Sequence, residues 1–124
     1  MTYVDGFLLP VPKKNLAAYR RMARQGAALW KTHGALEYME CAADDMRGFT
    51  PDGKAVPSLF PKMAKPKRGE TLVLSFIVYK SRAHRDRVNK KVMSDPSMAN
   101  MDMAKMPFDV KRMAYGGFKV LVEA

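Results

Sequence analysis

The segment from residue 70 to residue 80 constrains the fold more than any other part of the chain. It reads Glu-Thr-Leu-Val-Leu-Ser-Phe-Ile-Val-Tyr-Lys, so apolar side chains occupy both sets of alternating positions. Such a strand is typical of the centre of a sheet that is buried on both faces. We therefore expect a sheet whose middle strand has to be covered on two sides.

The first half of the chain predicts a strand, a helix and a second strand. Residues 3–9 form the first strand, which Pro10 and Pro12 are expected to end because proline is excluded from the middle of a sheet. Apolar residues recur at three- and four-residue steps over 13–32, which predicts a helix with one buried stripe. The stripe consists of Leu16, Tyr19, Ala23, Ala27 and Trp30. Residues 35–41 alternate again and predict the second strand, which we expect to extend to Asp45.

A long segment rich in proline and glycine separates the two halves. We expect residues 47–68 to be irregular, and loops of that length are commonly functional or mobile. One interpretation is a hairpin extension that covers a pocket or a partner subunit. After the central strand, Ser81 is expected to cap a second helix that ends near Ser94, and Asp95 to cap a short helix after it.

The last strand completes an α+β pattern. Residues 112–122 predict this strand, and Gly116-Gly117 within it indicates a bulge or a close approach of backbones. The order β-α-β-loop-β-α-β predicts a ferredoxin-like βαββαβ fold, a four-stranded antiparallel sheet with two helices on one face. We expect residues 1–124 to form a single domain.

Two helices can cover only one face of such a sheet. On the central strand, Leu72, Leu74, Phe76 and Val78 lie opposite Val73, Ile77 and Tyr79. The apolar face without helices therefore needs a cover. We expect a second copy, bound through a two-fold contact, and the alternative is that the long loop folds over this face.

Charge and cysteine content narrow the classes of function. The 22 basic and 12 acidic residues leave a net charge of +10, which invites a nucleic-acid interpretation. Because the basic residues lie on two predicted helix faces and in one loop, solvated surfaces explain them, and nucleic acid is not the expected partner. The one cysteine, Cys41, suits a reducing compartment. With no signal peptide and no long apolar run, we expect a soluble cytoplasmic protein and no membrane partner.

Metal and nucleophilic chemistry have few candidate residues. The two histidines, His33 and His84, come without a Cys-x-x-Cys pair, so we expect no metal and no cofactor. His84 falls on the inner stripe of the second helix, where packing is favoured over a role as haem ligand. Cys41 is expected to be a small buried thiol rather than a nucleophile.

Four residues are the candidates for catalysis: Asp5, Glu40, Arg112 and Tyr115. Asp5 and Glu40 fall inside strands, where a charge has to be paired or functional. Arg112 is expected to head the last strand and to pair with Asp5 or Asp109. One interpretation is a structural ion pair at a sheet edge or dimer seam. The other is a polar cluster in a pocket between sheet and helices, or at the mouth of a dimer.

Aromatic residues and methionines are the candidates for an apolar binding site. The aromatic candidates are Tyr3, Phe7, Trp30, Phe76 and Tyr79. Six methionines fall between residues 93 and 113, namely Met93, Met98, Met101, Met103, Met106 and Met113. Methionine suits adaptable surfaces, so this segment is interpreted as soft packing against a partner subunit or as a flap over a pocket, and packing is favoured.

Several strings of the sequence resemble a known family. They are Tyr3-Val4-Asp5-Gly6-Phe7, Gly34-Ala35-Leu36, Glu40-Cys41, Met93-Ser94-Asp95-Pro96, Met106-Pro107-Phe108-Asp109, Lys111-Arg112-Met113 and Tyr115-Gly116-Gly117-Phe118. Together they resemble the YbaA-like family of small bacterial proteins of unknown function, over almost the whole chain. The sequence departs from that pattern at Val56-Pro57-Ser58-Leu59-Phe60, where a Thr-Asp-Phe string is common, and at Ser75-Phe76, where Ser-Trp is common.

The resemblance implies a dimeric α+β barrel, in which two ferredoxin-like sheets face each other. The wider superfamily includes cofactor-free monooxygenases, haem-degrading enzymes and isomerase- or lyase-like members, and this analogy of fold does not set a function. We expect a protein that binds a small molecule, with a cofactor-free oxygenase of an electron-rich aromatic as the best enzymatic analogy. The alternatives are a non-catalytic homodimer that binds a ligand or a protein, and an RNA-binding protein.

Overall fold

The computed structural model describes residues 2–124. Its strands and longer helices are, in chain order, β1 (Tyr3–Pro12), α1 (Leu16–Thr32), β2 (Glu37–Ala42), β3 (Arg47–Phe49), β4 (Ala55–Pro57), α2 (Phe60–Ala64), β5 (Glu70–Tyr79), α3 (Arg82–Met93) and β6 (Ala114–Lys119). Four strands form the main sheet in the order β2-β5-β1-β6, and all neighbours are antiparallel. The predicted α+β class and four-stranded antiparallel sheet are confirmed, in an arrangement compatible with a ferredoxin-like fold.

Both long helices pack on one face of the sheet. Tyr19 and Ala23 of α1 join a cluster with the β1 and β5 side chains Leu9, Val11 and Val73. Val88 and Val92 of α3 join a second cluster with Tyr3, Ile77 and Tyr79. Because side chains of a strand alternate between faces, all these strand residues belong to one face, and the core lies between it and the helices.

The predicted end of the first strand is wrong, because β1 continues through Pro10 and Pro12. The Lys13 amide donates to Gly69 O at 2.8 Å, so odd-numbered residues of β1 direct their N–H toward β5 and even-numbered residues toward β6. β6 ends opposite Leu8. The two prolines therefore face an unpaired edge, where their missing N–H costs no ladder hydrogen bond.

The segment 47–68 is more regular than predicted. β3 and β4 form an antiparallel hairpin, in line with the hairpin interpretation, and α2 follows it. The turn holds Gly53 at a φ of 84°, a conformation that glycine adopts without a Cβ penalty. The hairpin forms a sheet of its own, separate from the main one.

The two edge strands are shorter than predicted. β2 ends at Ala42 rather than Asp45, and β6 spans Ala114–Lys119 rather than 112–122. The predicted close approach in β6 is present at Gly117, where an added Cβ would lie 2.7 Å from a ring carbon of Tyr3. The Ser81 and Asp95 caps are confirmed, since their side chains accept from the His84 and Ser97 amides.

The sheet face opposite the helices is apolar and only partly covered in the single chain. Pro10 and Leu72 are buried at one end of it, whereas Leu74 is 44% exposed and Phe118 is 62% exposed. Within one chain, β5 is therefore buried on both faces only near its start, not along its whole length as its pattern predicted. Register places Val4 beside Phe118, and Leu8 beside Leu74, on this face. We call it the helix-free face.

Within residues 2–124, no helix combines the length and the apolar character that crossing a membrane requires.

Candidate functional site

A large cavity lies between the helix-covered face of the sheet, α1 and the segment that follows α3. Its volume is about 770 Å³. Six methionines line it: Met22, Met93, Met98, Met101, Met106 and Met113. Phe7, Trp30 and Phe108 add aromatic surface. We call it the methionine-lined cavity.

Short side chains on α1 and a capped segment after α3 leave this space open. Ala23, Gly26 and Ala28 of α1 face the cavity. The segment after α3 forms three 3-10 turns, each begun by an aspartate whose carboxylate accepts an amide N–H two residues later. These aspartates are Asp95, Asp102 and Asp109. Such local hydrogen bonds hold irregular backbone in place and let its methionines line the cavity.

Glu40 is the polar centre of this region. The Tyr19 hydroxyl donates to Glu40 Oε2 at 2.7 Å, and the Tyr38 hydroxyl donates to Oε1 at 2.9 Å. β2 places Tyr38 and Glu40 on the helix-covered face, because they pair with Ile77 and Ser75 of β5. α1 brings Tyr19 to the same point from above. One carboxylate thus meets two phenols at the wall of the cavity.

The two phenols are strongly held in their protonated form. Burial raises the pKa of the Tyr19 hydroxyl, and its hydrogen bond to Glu40 and the charge of that carboxylate raise the pKa further. Burial also raises the pKa of Tyr38, with Glu40 again adding to the effect. Both hydroxyls therefore remain donors to Glu40 throughout the neutral pH range.

A second, smaller cleft lies on the other side of this cluster, between α1 and β2. Its volume is about 330 Å³. Tyr19, Ala23, Tyr38 and Glu40 line both it and the methionine-lined cavity. Seven further residues line the cleft but not the methionine-lined cavity. They are Arg20 and Arg24 of α1, and Leu16, Ala27, Cys41, Ala42 and Val73. We call it the arginine cleft.

A side-chain contact between His33 and Asp95 lies beside the methionine-lined cavity near the end of α1. His33 Nε2 lies 2.8 Å from Asp95 Oδ2, and Asp95 lines the cavity. The hydrogen bond from His33 and those from Ser97 lower the pKa of Asp95 to about 2. This contact ties α1 to the first turn of the methionine-rich segment.

Asp5, a predicted catalytic candidate, is buried in an ion pair. Arg85 of α3 donates from Nη1 to Asp5 Oδ1 at 2.6 Å, and the guanidinium lies 4.9 Å from the centre of the Tyr3 ring. The expected pairing with Arg112 is therefore wrong. α3 crosses the sheet above Asp5, whereas Arg112 lies in a turn before β6.

Arg112 instead makes a double hydrogen bond to Glu70, at 2.7 and 2.9 Å. It also donates to Lys65 O at 3.0 Å. The Arg112 guanidinium lowers the pKa of the Glu70 carboxyl. This arrangement fastens the turn before β6 to the start of β5, and it does not reach Glu40.

The remaining candidates fall in different places. Tyr115 is 74% exposed and stacks on Phe7, with ring centres 6.1 Å apart. Phe7 and Trp30 line the methionine-lined cavity, whereas Tyr3 and Tyr79 belong to the core. Phe76 lies on the helix-free face, because it pairs with Gly6 of β1.

The structure places Cys41 at the surface and His84 in a packed position. Cys41 is exposed, and its expected burial is wrong because it pairs with Leu74 on the helix-free face of an edge strand. His84 packs edge-on against Tyr79, and its Nδ1 accepts the Lys80 amide at 2.9 Å. Burial lowers the pKa of His84, which favours the neutral ring that this acceptor role requires.

Sequence reasoning did not predict the Glu40 cluster. Tyr19 was placed on the buried stripe of the first helix and Tyr38 on the same strand face as Glu40, but neither phenol was predicted to donate to that carboxylate. A signal existed for Tyr19, since a hydroxyl on an apolar helix stripe needs a buried acceptor. Nothing in the local sequence paired it with Glu40 rather than another acid.

The comparison with known sequences settles the family. The model of a family described as a protein of unknown function (DUF1428) matches residues 2–110. The chain belongs to the DUF1428 family. It is also 45% identical over 123 residues to the uncharacterized protein YbaA of Escherichia coli strain K12 and to that of Shigella flexneri, with 99% of each chain covered. This DUF1428 member therefore has relatives of nearly its own length, and their names assign no activity.

Proposed function

We propose that this protein binds a small, mainly apolar molecule in the methionine-lined cavity. The observation that carries the proposal is the cavity itself, about 770 Å³ of space beside a polar centre at Glu40. Ligand sites in proteins are commonly of this size, apolar in lining and equipped with a few polar groups. A filled interior between sheet and helices would have left no room for this function.

The polar centre indicates what the ligand carries. A carboxylate has about four acceptor positions, and the phenols of Tyr19 and Tyr38 occupy two of those of Glu40. Glu40 can therefore accept an O–H or N–H from a ligand. Methionine side chains adapt to irregular shapes, and their sulfur atoms contact aromatic rings favourably. The proposed ligand is an aromatic or similarly flat molecule with at least one hydrogen-bond donor.

Binding is what this geometry supports best. Cofactor-free oxygenation, the enzymatic analogy, needs a group that takes a proton from the ligand hydroxyl. Glu40 is the residue in position for that role, while Asp95 is engaged by His33. Both Glu40 oxygens already accept hydrogen bonds, an arrangement suited to an anchoring acceptor.

Native mass spectrometry of the protein purified from its own host tests the proposal. We expect a retained molecule that is released on denaturation. Replacing Ala28 with Trp places a large ring in the cavity, and this variant should lose the molecule. Ala17→Trp is the matched control, since Ala17 is also exposed on α1 but does not line the cavity.

Two results would overturn binding. One is wild-type protein that carries no molecule and also fails to bind the uncharged fluorescent probe phenylnaphthylamine. The other is equal retention of the molecule by the wild type and the Ala28→Trp variant. Thermal unfolding of both variants checks that each has folded.

We further propose that two copies associate through the helix-free face as a dimeric α+β barrel, with residues 1–124 as its single unit. Leu74 and Phe118 expose apolar surface there, and Val4 lies beside Phe118 in the sheet. A two-fold contact buries the same patch on both copies, so each copy covers the exposed apolar face of the other. Light scattering measures the mass directly.

The location that we propose is the cytoplasm. Cys41 is a free and exposed thiol, and such thiols persist in a reducing compartment.

A further inference from the structure

Two spaces meet at the Glu40 cluster, and only one of them is lined by arginine side chains. The methionine-lined cavity lies on one side and the arginine cleft on the other. Tyr19, Ala23, Tyr38 and Glu40 are common to both linings. A ligand bound at Glu40 is therefore adjacent to the arginine cleft as well.

Arg20 and Arg24 face this cleft from one side of α1. They are four residues apart, so they lie one helical turn from each other on the same face. Within residues 2–124, neither guanidinium forms an ion pair with a carboxylate, whereas Arg47, Arg85 and Arg112 all do. Two guanidinium groups beside a cleft are free to bind an anion.

The charges that line the cleft favour a ligand with one negative charge. Arg20 and Arg24 contribute two positive charges and Glu40 contributes one negative charge, which leaves a single positive charge. The Glu40 oxygens are directed to the hydroxyls of Tyr19 and Tyr38, so this carboxylate does not neutralise the arginines directly. A guanidinium binds planar oxyanions through two parallel hydrogen bonds.

We propose that the arginine cleft binds the anionic group of the ligand, so that the ligand is an organic acid with an apolar body. Its carboxylate, or a comparable oxyanion, is held by Arg20 and Arg24. Its body passes Tyr19 and Ala23 into the methionine-lined cavity. This inference rests on the proposed function and adds the chemical class of the ligand to it.

The positive charge of the whole protein supports the same class. With a net charge of +10, the protein attracts small anions from solution and raises their concentration near its surface. The long-range attraction is not specific to the cleft. The arginine pair supplies the specific contact, because both guanidinium groups adjoin the Glu40 cluster.

A matched pair of fluorescent probes tests the inference. Anilinonaphthalene sulfonate and phenylnaphthylamine share the same aromatic body, and only the first carries an anionic group. In the Arg20→Gln/Arg24→Gln double variant, we expect the dissociation constant of the sulfonate to rise at least about tenfold, since two charge-assisted contacts are lost. The dissociation constant of the uncharged probe should change less than about twofold, since its contacts remain.

The control variant removes the same charge elsewhere. Arg21 and Arg87 are exposed and line neither space, so Arg21→Gln/Arg87→Gln should leave the affinity for the sulfonate near that of the wild type. Ala28→Trp should weaken the binding of both probes, and this result would show that both occupy the methionine-lined cavity. All four arginines are exposed, and thermal unfolding confirms that the variants fold.

The outcomes separate this inference from the proposed function. The inference is overturned if both double variants raise the dissociation constant of the sulfonate equally. It is also overturned if the Arg20→Gln/Arg24→Gln variant raises the dissociation constants of the two probes by the same factor. In either case, binding of phenylnaphthylamine to the wild type still supports the apolar cavity. If the wild type binds neither probe, the proposed function fails and the inference fails with it.

Discussion

Tyr19 on α1 donates a hydrogen bond of 2.7 Å to Glu40 on β2, and this contact joins the main helix to the edge of the sheet. It also lies where the methionine-lined cavity and the arginine cleft meet, since both residues line both spaces. One hydrogen bond therefore serves the packing of the fold and the shape of the candidate site.

Replacing Tyr19 with Phe should lower the free energy of unfolding by about 1.5 kcal/mol, because a hydrogen bond to a charged acceptor is lost. Urea titration measures the change. In a double-mutant cycle with Glu40→Gln, the two changes should not add, because each weakens the same contact. Tyr115→Phe is the control, as Tyr115 is 74% exposed and its change should be near zero. Equal effects at Tyr19 and Tyr115 would contradict the role of the Glu40 contact.

Gly117→Ala should destabilise the protein while Gly116→Ala should not. A Cβ at Gly117 would lie 2.7 Å from a ring carbon of Tyr3, whereas a Cβ at Gly116 meets its nearest atom at 4.0 Å. Because Tyr3 is held in the core under Arg85, its ring has little room to move. We expect a loss of about 1–3 kcal/mol at position 117 in thermal or urea unfolding. Equal stability of the two variants would show that the Tyr3 ring can shift.

Asp95 should make the stability of the protein sensitive to acid. Folding lowers its pKa from 3.8 to about 2, so its ionised form is favoured in the folded state. The stabilisation is complete above pH 3.8 and is lost as the pH falls through that value toward about 2. The difference in stability between wild type and Asp95→Asn should therefore shrink over this interval. A difference that stays constant between neutral pH and pH 2 would show that the His33 contact does not stabilise the carboxylate.

Leu74→Asp should convert the proposed homodimer to a monomer. Leu74 is 44% exposed at the centre of the helix-free face, and a carboxylate there cannot be buried against a second copy without a large cost. Light scattering should report twice the chain mass for the wild type and the single mass for the variant. Ala17→Asp, on the solvent side of α1, should leave the wild-type mass unchanged. A monomeric wild type at micromolar concentration would refute the two-fold contact.

Much of the fold could be predicted from the sequence because it depends on local patterns of residues. The alternation along 70–80 separated Val73, Ile77 and Tyr79, which lie in the core, from Leu74 and Phe76 on the other face. Cap residues such as Ser81 depend on their own neighbours in the chain. The prolines in β1 were misjudged because their tolerance depends on where β6 ends, which is a property of the assembled sheet.

Only part of the candidate site could be predicted from the sequence. Glu40 stood out as a charge inside a strand, and it does lie at the cavity wall. Asp5 stood out for the same reason, but Arg85, 80 residues away along the chain, engages it. A strand pattern shows that a buried charge needs a partner without showing which basic residue reaches it.

By itself, the sequence determined the order of the four main strands and the two long helices, the alternation of side chains along the central strand, and the apolar character of the face without helices. These properties follow from periodicities of two and 3.6 residues that operate over short stretches of chain. Only the tertiary structure decided the pairing of Glu40 with Tyr19 and Tyr38, the place of Arg20 and Arg24 beside them, and the volume left under the methionines. Those features depend on how α1 crosses the sheet and on how completely side chains fill the space between, and such distances are set by packing among residues far apart in sequence.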